Sequence, residues 1–263
     1  ANTLKLRILM MLRNQQNVSS QISEALSNDL IETNAQSALI RYVNDPGGQN
    51  GYNRLVEAFF GVSNEAQGVY APSPTLYELL QGDPRFDIII KDNDNDPCLM
   101  NQFAFDFNCP TISDNVIRDN LPHMLAMPAE VSLYKAELAM ADGDMSTASS
   151  EYRKGVSQNI AWWGGDIPGS TGSISSDVAS AFVDGLDDPT LEDIHTQLYI
   201  ESFIRPVVAW NSVRRTKTPD LKAVPGSNIT TILKRFNYPP DEIGANPNAP
   251  ANPPTDTPMW FEN

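Results

Sequence analysis

The sequence predicts a mostly all-α fold with long irregular loops and little β structure. Three observations carry that prediction. Helical patterning dominates the segments whose periodicity is clear. The run from Pro128 to Trp163 is broken once, at Gly143, and reads as two helices folded back on one another. Prolines and asparagines crowd the chain from Lys217 onward, where regular structure should become sparse.

The elements follow in order. Leu4, Ile8, Met11 and Leu12 form one apolar stripe, which predicts a helix over residues 3–14. A chain that starts inside a helix is expected to have lost an upstream portion. A second helix is expected over 19–31, with Ser19 or Ser20 as cap and Ile22, Leu26 and Leu30 on one face. Residues 33–43 read as a short helix or a loop-bound element before the Asp45-Pro46-Gly47-Gly48 turn, and 51–72 are mixed. Ser73-Pro74 opens a helix faced by Leu76, Leu79 and Leu80, because proline in the first turn lacks only a donor that would be orphaned anyway. Asp83-Pro84-Arg85 ends it, and Phe86 to Ile90 reads as a short strand. Residues 91–127 read mostly as loop. In the hairpin that follows, Val131, Tyr134 and Leu138 face Ala148, Tyr152 and Val156. Small residues set against aromatics allow close helix approach, as in tetratricopeptide pairs, although no repeat of fixed period is present. Two further helices are expected near 176–184 and 190–204, and another over 206–215, which Pro206 opens or kinks.

Bulk properties narrow the function. A chain of 263 residues forms one large domain or two small ones and buries about three quarters of its unfolded surface. The formal charge is −15, from 18 basic and 33 acidic residues. That field repels nucleic acid and anionic membrane surfaces, and it suits a neutral ligand, a cation or plain solubility. No signal peptide and no apolar run long enough to span a bilayer is present. Cys98 and Cys109 are the only cysteines; they read as either a short-loop disulfide or two buried thiols.

Catalytic signals are weak. His123 and His195 are far apart and suggest no nucleophile–base grouping. No nucleophile elbow, phosphate loop, dinucleotide fingerprint or zinc spacing occurs, so no cofactor and no metal are expected. Carboxylates abound, which makes any one pair weak evidence for glycosidic acid–base chemistry. Asp92 to Asp96 offers hard oxygen ligands but lacks the glycine and distal glutamate of a calcium loop, and a polar loop is expected there. Arg214 and Arg215 end the Trp210 helix, where at least one is expected to clamp the proline-rich tail to the body.

Several stretches together point to a family. The chain reads IRPVVAWNSVRRTKTPDLKAV from Ile204 and LKRFNYPPDEIGANPNAP from Leu233, with Pro239, Pro240, Asn246, Asn248 and Asn263 in the tail. With the Gly82-Asp83-Pro84-Arg85 turn and PAEVSLYKAELAMADGD from Pro128, this order resembles the SusD/RagB-type nutrient-binding lipoproteins of Bacteroidetes outer membranes. It departs where the 216–218 turn reads Thr-Lys-Thr instead of glycine with an aromatic. The resemblance implies one SusD-like domain over 1–263 that lacks its N-terminal part, with residues 216–263 as an irregular tail on the helical body. It also implies a lipid-anchored, noncatalytic cell-surface protein. That protein would bind oligosaccharide and deliver it to a TonB-dependent outer-membrane transporter. A peptide binder or pure interaction module of the same fold, and a glycoside hydrolase fragment, are the other readings.

For a sugar ligand, aromatic rings are the chemically sensible platforms, since a pyranose C–H face can lie flat on a ring while placed polar groups take its hydroxyls. Tyr52, Tyr70, Phe103, Trp162 and Trp163 fall in or beside loops and are the candidate ligand residues. Trp210 is expected in the core.

Overall fold

The computed structural model describes residues 1–45, 47–60, 71–91, 110–223 and 230–262. The expectations for Tyr70, Asp92–Asp96, Cys98, Phe103 and Cys109 lie outside the described residues. Helix dominates, and two short antiparallel ladders are the only sheet among the described residues.

The first two helices are α1 (Asn2–Leu12) and α2 (Ser19–Ser27). Neither Ser19 nor Ser20 caps α2; the Ser19 amide instead donates to Asn17 Oδ1 at 3.2 Å. Residues 33–43, left between helix and loop, split in two. Thr33 and Gln36 form a capping box around a single 3₁₀ turn, with Gln36 Oε1 accepting from the Glu32 and Thr33 amides. Strand β1 (Ala38–Ile40) follows and pairs with β4 (His123–Ala126), which puts His123 in a strand. Between them lie α3 (Gly51–Phe60) and α4 (Pro74–Leu79), the latter capped by Ser73, whose hydroxyl accepts from the Leu76 amide.

Phe86–Ile90 is not the expected strand. It forms a one-turn helix, α5 (Phe86–Ile89), then the two-residue β2 (Ile90–Lys91), paired with β3 (Thr111–Ile112). The cause is Asp83. Its Oδ1 accepts from both the backbone amide and Nε of Arg85, which folds the chain into a turn that the following residues continue. Arg85 is fully buried and also donates to Asn159 Oδ1 at 2.7 Å and Gln197 Oε1 at 2.9 Å. A buried guanidinium with this many acceptors outweighs the β propensity of three isoleucines.

The hairpin is the centre of the fold: α6 (Pro128–Ala141) and α7 (Met145–Ala161). Gly143 takes φ 80° in the turn, and Asp144 caps α7 by accepting from the Thr147 amide at 3.0 Å. Gly155 sets the approach of the two helices, because a Cβ there would stand 2.8 Å from Leu133 Cγ and 3.2 Å from the Ala129 carbonyl. Then come α8 (Ser176–Asp184), α9 (Leu191–Glu201), α10 (Pro206–Thr216) and α11 (Pro240–Ala245). Thr190 and Asp193 close a capping box on α9. Pro206 opens α10 and does not kink an older helix: α9 has ended at Glu201, and the residue before a proline is driven from the α region, as Arg205 is at φ −120° and ψ 67°. The core has two lobes. One packs α1, α2, α6, α7 and α9 around Leu6, Met10, Tyr152 and Ile194; the other gathers Leu80, Ile89, Ile117, Trp162 and Trp163.

Ion pairs tie these layers together through α6. Glu130 accepts from Arg7 of α1 and, at 2.9 Å, from Nη1 of Arg205. Arg205 also pairs with Glu201. One heptad on, Glu137 takes a bidentate pair from Arg215 at 2.7 and 2.8 Å, and Arg13 Nη1 at 3.2 Å. His195 Nε2 lies 3.4 Å from Glu137 Oε2.

The arginine pair therefore divides its work. Arg215 turns inward to Glu137, while Arg214 donates to the Lys234 carbonyl and lies 3.8 Å over the half-buried Trp210 ring and 4.9 Å over Phe261. Trp210 Nε1 donates to the Leu233 carbonyl at 2.9 Å. Lys217 ends α10 at φ 60°, the left-handed position that glycine occupies more easily. Arg215→Ala leaves the buried Glu137 short of its main counter-charge and should cost about 3–5 kcal/mol of global stability. Arg214→Ala should cost about 1–2 kcal/mol and mainly speed amide exchange in residues 230–262. Urea unfolding with hydrogen-exchange mapping separates the two, and equal global losses would contradict the division.

Candidate functional site

Four elements converge where α9 gives way to α10. Tyr52 comes from α3, Leu76 from α4, Tyr199 from α9, and Phe203 and Ile204 from the connector. They line two adjoining lobes of about 260 and 250 Å³ that share all five side chains. Ser73, Ile112 and Ile117 complete one lobe; Ser202, Pro206 and Ala209 complete the other. The lining is apolar with a few polar groups, the usual composition of a small-molecule site.

The connector is strained. Ile204 has φ 66°, a genuine outlier for a β-branched residue, which costs on the order of 1–3 kcal/mol. Its neighbour holds it there. Arg205 is buried, with its guanidinium fixed between Glu130 and Glu201, so residue 204 must bridge from the end of α9 to that anchor. Burial raises the phenol pKa of Tyr52 and Tyr199, and Ser73 hydrogen-bonds Tyr199 in partial opposition. A phenol is neutral at pH 7 in any case, and burial here widens that margin.

The predicted ligand residues separate in space. Tyr52 lines the pocket. Trp162 and Trp163 do not: each is only 1% exposed, in the core under the site. The loop reading failed because α7 runs on into a π-helical turn over Trp162–Asp166, closed by the Ile167 amide donating to the Trp162 carbonyl at 3.0 Å. That turn carries both indoles inward, and Trp163 packs on Phe203 with ring centroids 5.7 Å apart. Sequence reasoning missed Tyr199 and Phe203. Their signal was an aromatic pair spaced i, i+4 just ahead of Pro206, where one helix must give way to the next. Among the described residues no group of three or more His, Cys, Asp or Glu side chains is placed to hold a metal ion, and no helix is long and apolar enough to cross a membrane.

The site is thus a concave aromatic corner carried on a helical scaffold. The chain belongs to the SusD-like family described as starch-binding and associating with the outer membrane, whose pattern matches residues 1–239. Solved structures share the fold. A chitin-binding protein is similar with a TM-score of 0.73 at 21% identity, covering 93% of this chain and 58% of its own. A Bacteroidetes SusD-like protein has a TM-score of 0.74 at 19% identity, covering 94% and 64%. A SusD homologue from Bacteroides fragilis has a TM-score of 0.73 at 17% identity, covering 93% and 61%. The chain thus spans about three fifths of the length of these relatives. No curated protein matches it.

The charges behind the pocket titrate in opposite directions. Burial and the neighbouring Glu130 carboxylate push Glu201 up to about 7 against the pull of Arg205. Arg7 and Arg205 hold Glu130 below the usual carboxylate range despite its burial, and Arg215 and His195 do the same for Glu137. Glu130 and Glu137 therefore stabilise the fold above the unfolded carboxylate pKa, and that contribution is lost as the pH falls through their folded values. Glu201 has the reverse sign: between roughly pH 4.5 and 7 the folded state keeps a proton that the unfolded chain releases, so stability falls as pH rises through that window. Glu201→Gln should remove this decline. The stability of the variant relative to wild type should rise by on the order of 2 kcal/mol from pH 5 to pH 8 in urea titrations. A pH-independent difference would refute the assignment.

Proposed function

We propose that this protein captures oligosaccharide at the cell surface and passes it to a partner TonB-dependent outer-membrane transporter, held at the membrane by a lipid anchor in the full-length protein. The reading supposes binding without a covalent step. Membership of an outer-membrane starch-binding family supports it, as does structural likeness to a chitin-binding protein. The observation that carries it is the convergence of Tyr52, Tyr199 and Phe203 on one concave corner. Two neutral phenols and a phenyl ring offer apolar faces to sugar C–H groups, and the phenol hydroxyls and Ser73 offer hydrogen-bond partners to sugar hydroxyls. The net charge of −15 favours a neutral sugar over an anionic ligand.

The test is calorimetric titration with maltoheptaose and chitohexaose. Tyr52→Ala and Phe203→Ala should each weaken binding of the accepted glycan by about tenfold, about 1.4 kcal/mol. Tyr52→Phe should retain most of the ring contribution and lose only the hydroxyl's. Unchanged affinity in both alanine variants would move the site elsewhere, and release of reducing ends from either glycan would replace binding with hydrolysis.

A further inference from the structure

The tail holds a second concavity, remote in sequence from the Tyr52 corner except through α10. Its volume is about 780 Å³. Two runs of the tail form its walls. The Lys234 and Arg235 amides donate to the Thr255 carbonyl at 2.8 and 3.1 Å, and the Tyr238 amide donates to Asn252 Oδ1 at 2.6 Å. Phe236, Tyr238 and Ile243 supply its apolar surface, and Arg235, Asn237 and Asn252 its polar groups.

Three features separate this groove from an ordinary surface dent. Phe236 is 75% exposed, yet its ring is braced on Trp210 with centroids 5.0 Å apart at 59°, and Trp210 is in turn held by Arg214. An exposed ring fixed by a second ring is a pre-organised platform, since little side-chain freedom is left to lose on binding. Among the described residues the Arg235 guanidinium has no hydrogen-bond or ion-pair partner, and its Nε is buried. The four N–H donors of its two Nη groups are therefore left for a ligand beside the platform. Finally, the Asn252 carboxamide spends its oxygen on Tyr238, which leaves its NH₂ end as a donor, and the exposed Asn237 side chain makes no bond among the described residues.

We infer that this groove is a second saccharide subsite for neutral oligosaccharide, with a sugar ring on Phe236 and its hydroxyls on Arg235, Asn237 and Asn252. The inference rests on the reading of the chain as a glycan binder, but not on the Tyr52 corner. Ring, guanidinium and amides together match a molecule with an apolar C–H face and a rim of hydroxyls. A peptide bound by strand addition would call for an open strand edge, and among the described residues of the tail there is no strand. An acidic sugar fits less well: Asp241 and Glu242 stand in the first turn of α11, next in sequence to the lining residues Pro239 and Pro240, and Asp256 follows the lining residue Thr255.

The test titrates the full chain with maltoheptaose, chitohexaose and an oligogalacturonate of similar length. Phe236→Ala and Asn237→Ala are compared with Tyr52→Ala, and the melting temperature of each variant is recorded. A neutral glycan should lose about tenfold in affinity with Phe236→Ala and about threefold with Asn237→Ala. Asn237 makes no bond among the described residues, so its variant carries the test if removing Phe236 disturbs the tail. Full affinity in both tail variants, with loss in Tyr52→Ala, overturns the second subsite and leaves the corner standing. Loss in the tail variants alone supports the subsite and removes the corner. Tighter binding of oligogalacturonate than of either neutral glycan overturns the neutral class, and binding of neither neutral glycan by the intact chain sinks both sites together.

Discussion

Two buried glutamates on one helix hold this protein together. Glu130 and Glu137 stand one heptad apart on α6 and draw in arginines from two distant parts of the chain: Arg7 in α1 and Arg13 just after it, Arg205 just before α10 and Arg215 in its last turn. Buried carboxylates are tolerated only when their charge and lone pairs are met, and here each meets at least two guanidiniums. The reward is registry. A smooth apolar interface would let α1 or α10 slide along α6, whereas two fixed charges per partner set both position and direction. Apolar burial around Leu6, Tyr152 and Ile194 then supplies the bulk of the stability.

That registry reaches the aromatic corner through a single residue. Arg205 is fixed on Glu130 and Glu201, and Pro206 immediately starts α10, so the turn must be completed within Ser202–Ile204. Ile204 takes a left-handed backbone because no residue is left to spread the bend. The same sharp turn splays Phe203 and Ile204 outward beside Tyr199 and leaves a hollow between α9, α10 and Tyr52. Strain and concavity thus have one origin. Backbone strain of this kind persists only where the surroundings over-determine it, and here its compensation is visible in the ions next to it.

The sequence made some of this legible and hid the rest for a definite reason. The α6–α7 hairpin could be read because its signals are local: Gly143 at the turn, and small residues opposite aromatics at helical spacing. The clamp from the arginine pair to the tail was half legible. Helix-end chemistry explains Arg214, but nothing near Arg215 in the chain points to Glu137, its partner 78 residues earlier. Asp83 and Arg85 show the same limit, since the Phe86–Ile90 run has the composition of a strand and a buried guanidinium makes it a helical turn. Trp162 and Trp163 misled for a geometric reason. The glycines after them suggest a loop, yet the π-helical turn delays the break until Gly165, at φ 147°, so both indoles are already inside.

The contrast between corner and tail follows from what anchors each. The corner is continuous with the ion network and with the core lobe that holds Trp162 and Trp163, so its shape should change only when the scaffold does. The tail is held by backbone carbonyls of Leu233 and Lys234 on Trp210 and Arg214, by the contact of Arg214 with Phe261, and by the pair Lys234–Glu262 at 3.5 Å. These are few contacts for an irregular segment, and such segments open locally at a small fraction of the global free energy. A scaffold of this kind can keep one surface rigid and let another adjust, because charge pairs fix the helices while single side chains pin the coil. Trp210 belongs to both regimes: it extends from α10, whose two ends are locked to α6, and it carries Phe236 on its face. Whatever settles on Phe236 therefore presses on the same helix whose first turn shapes the corner.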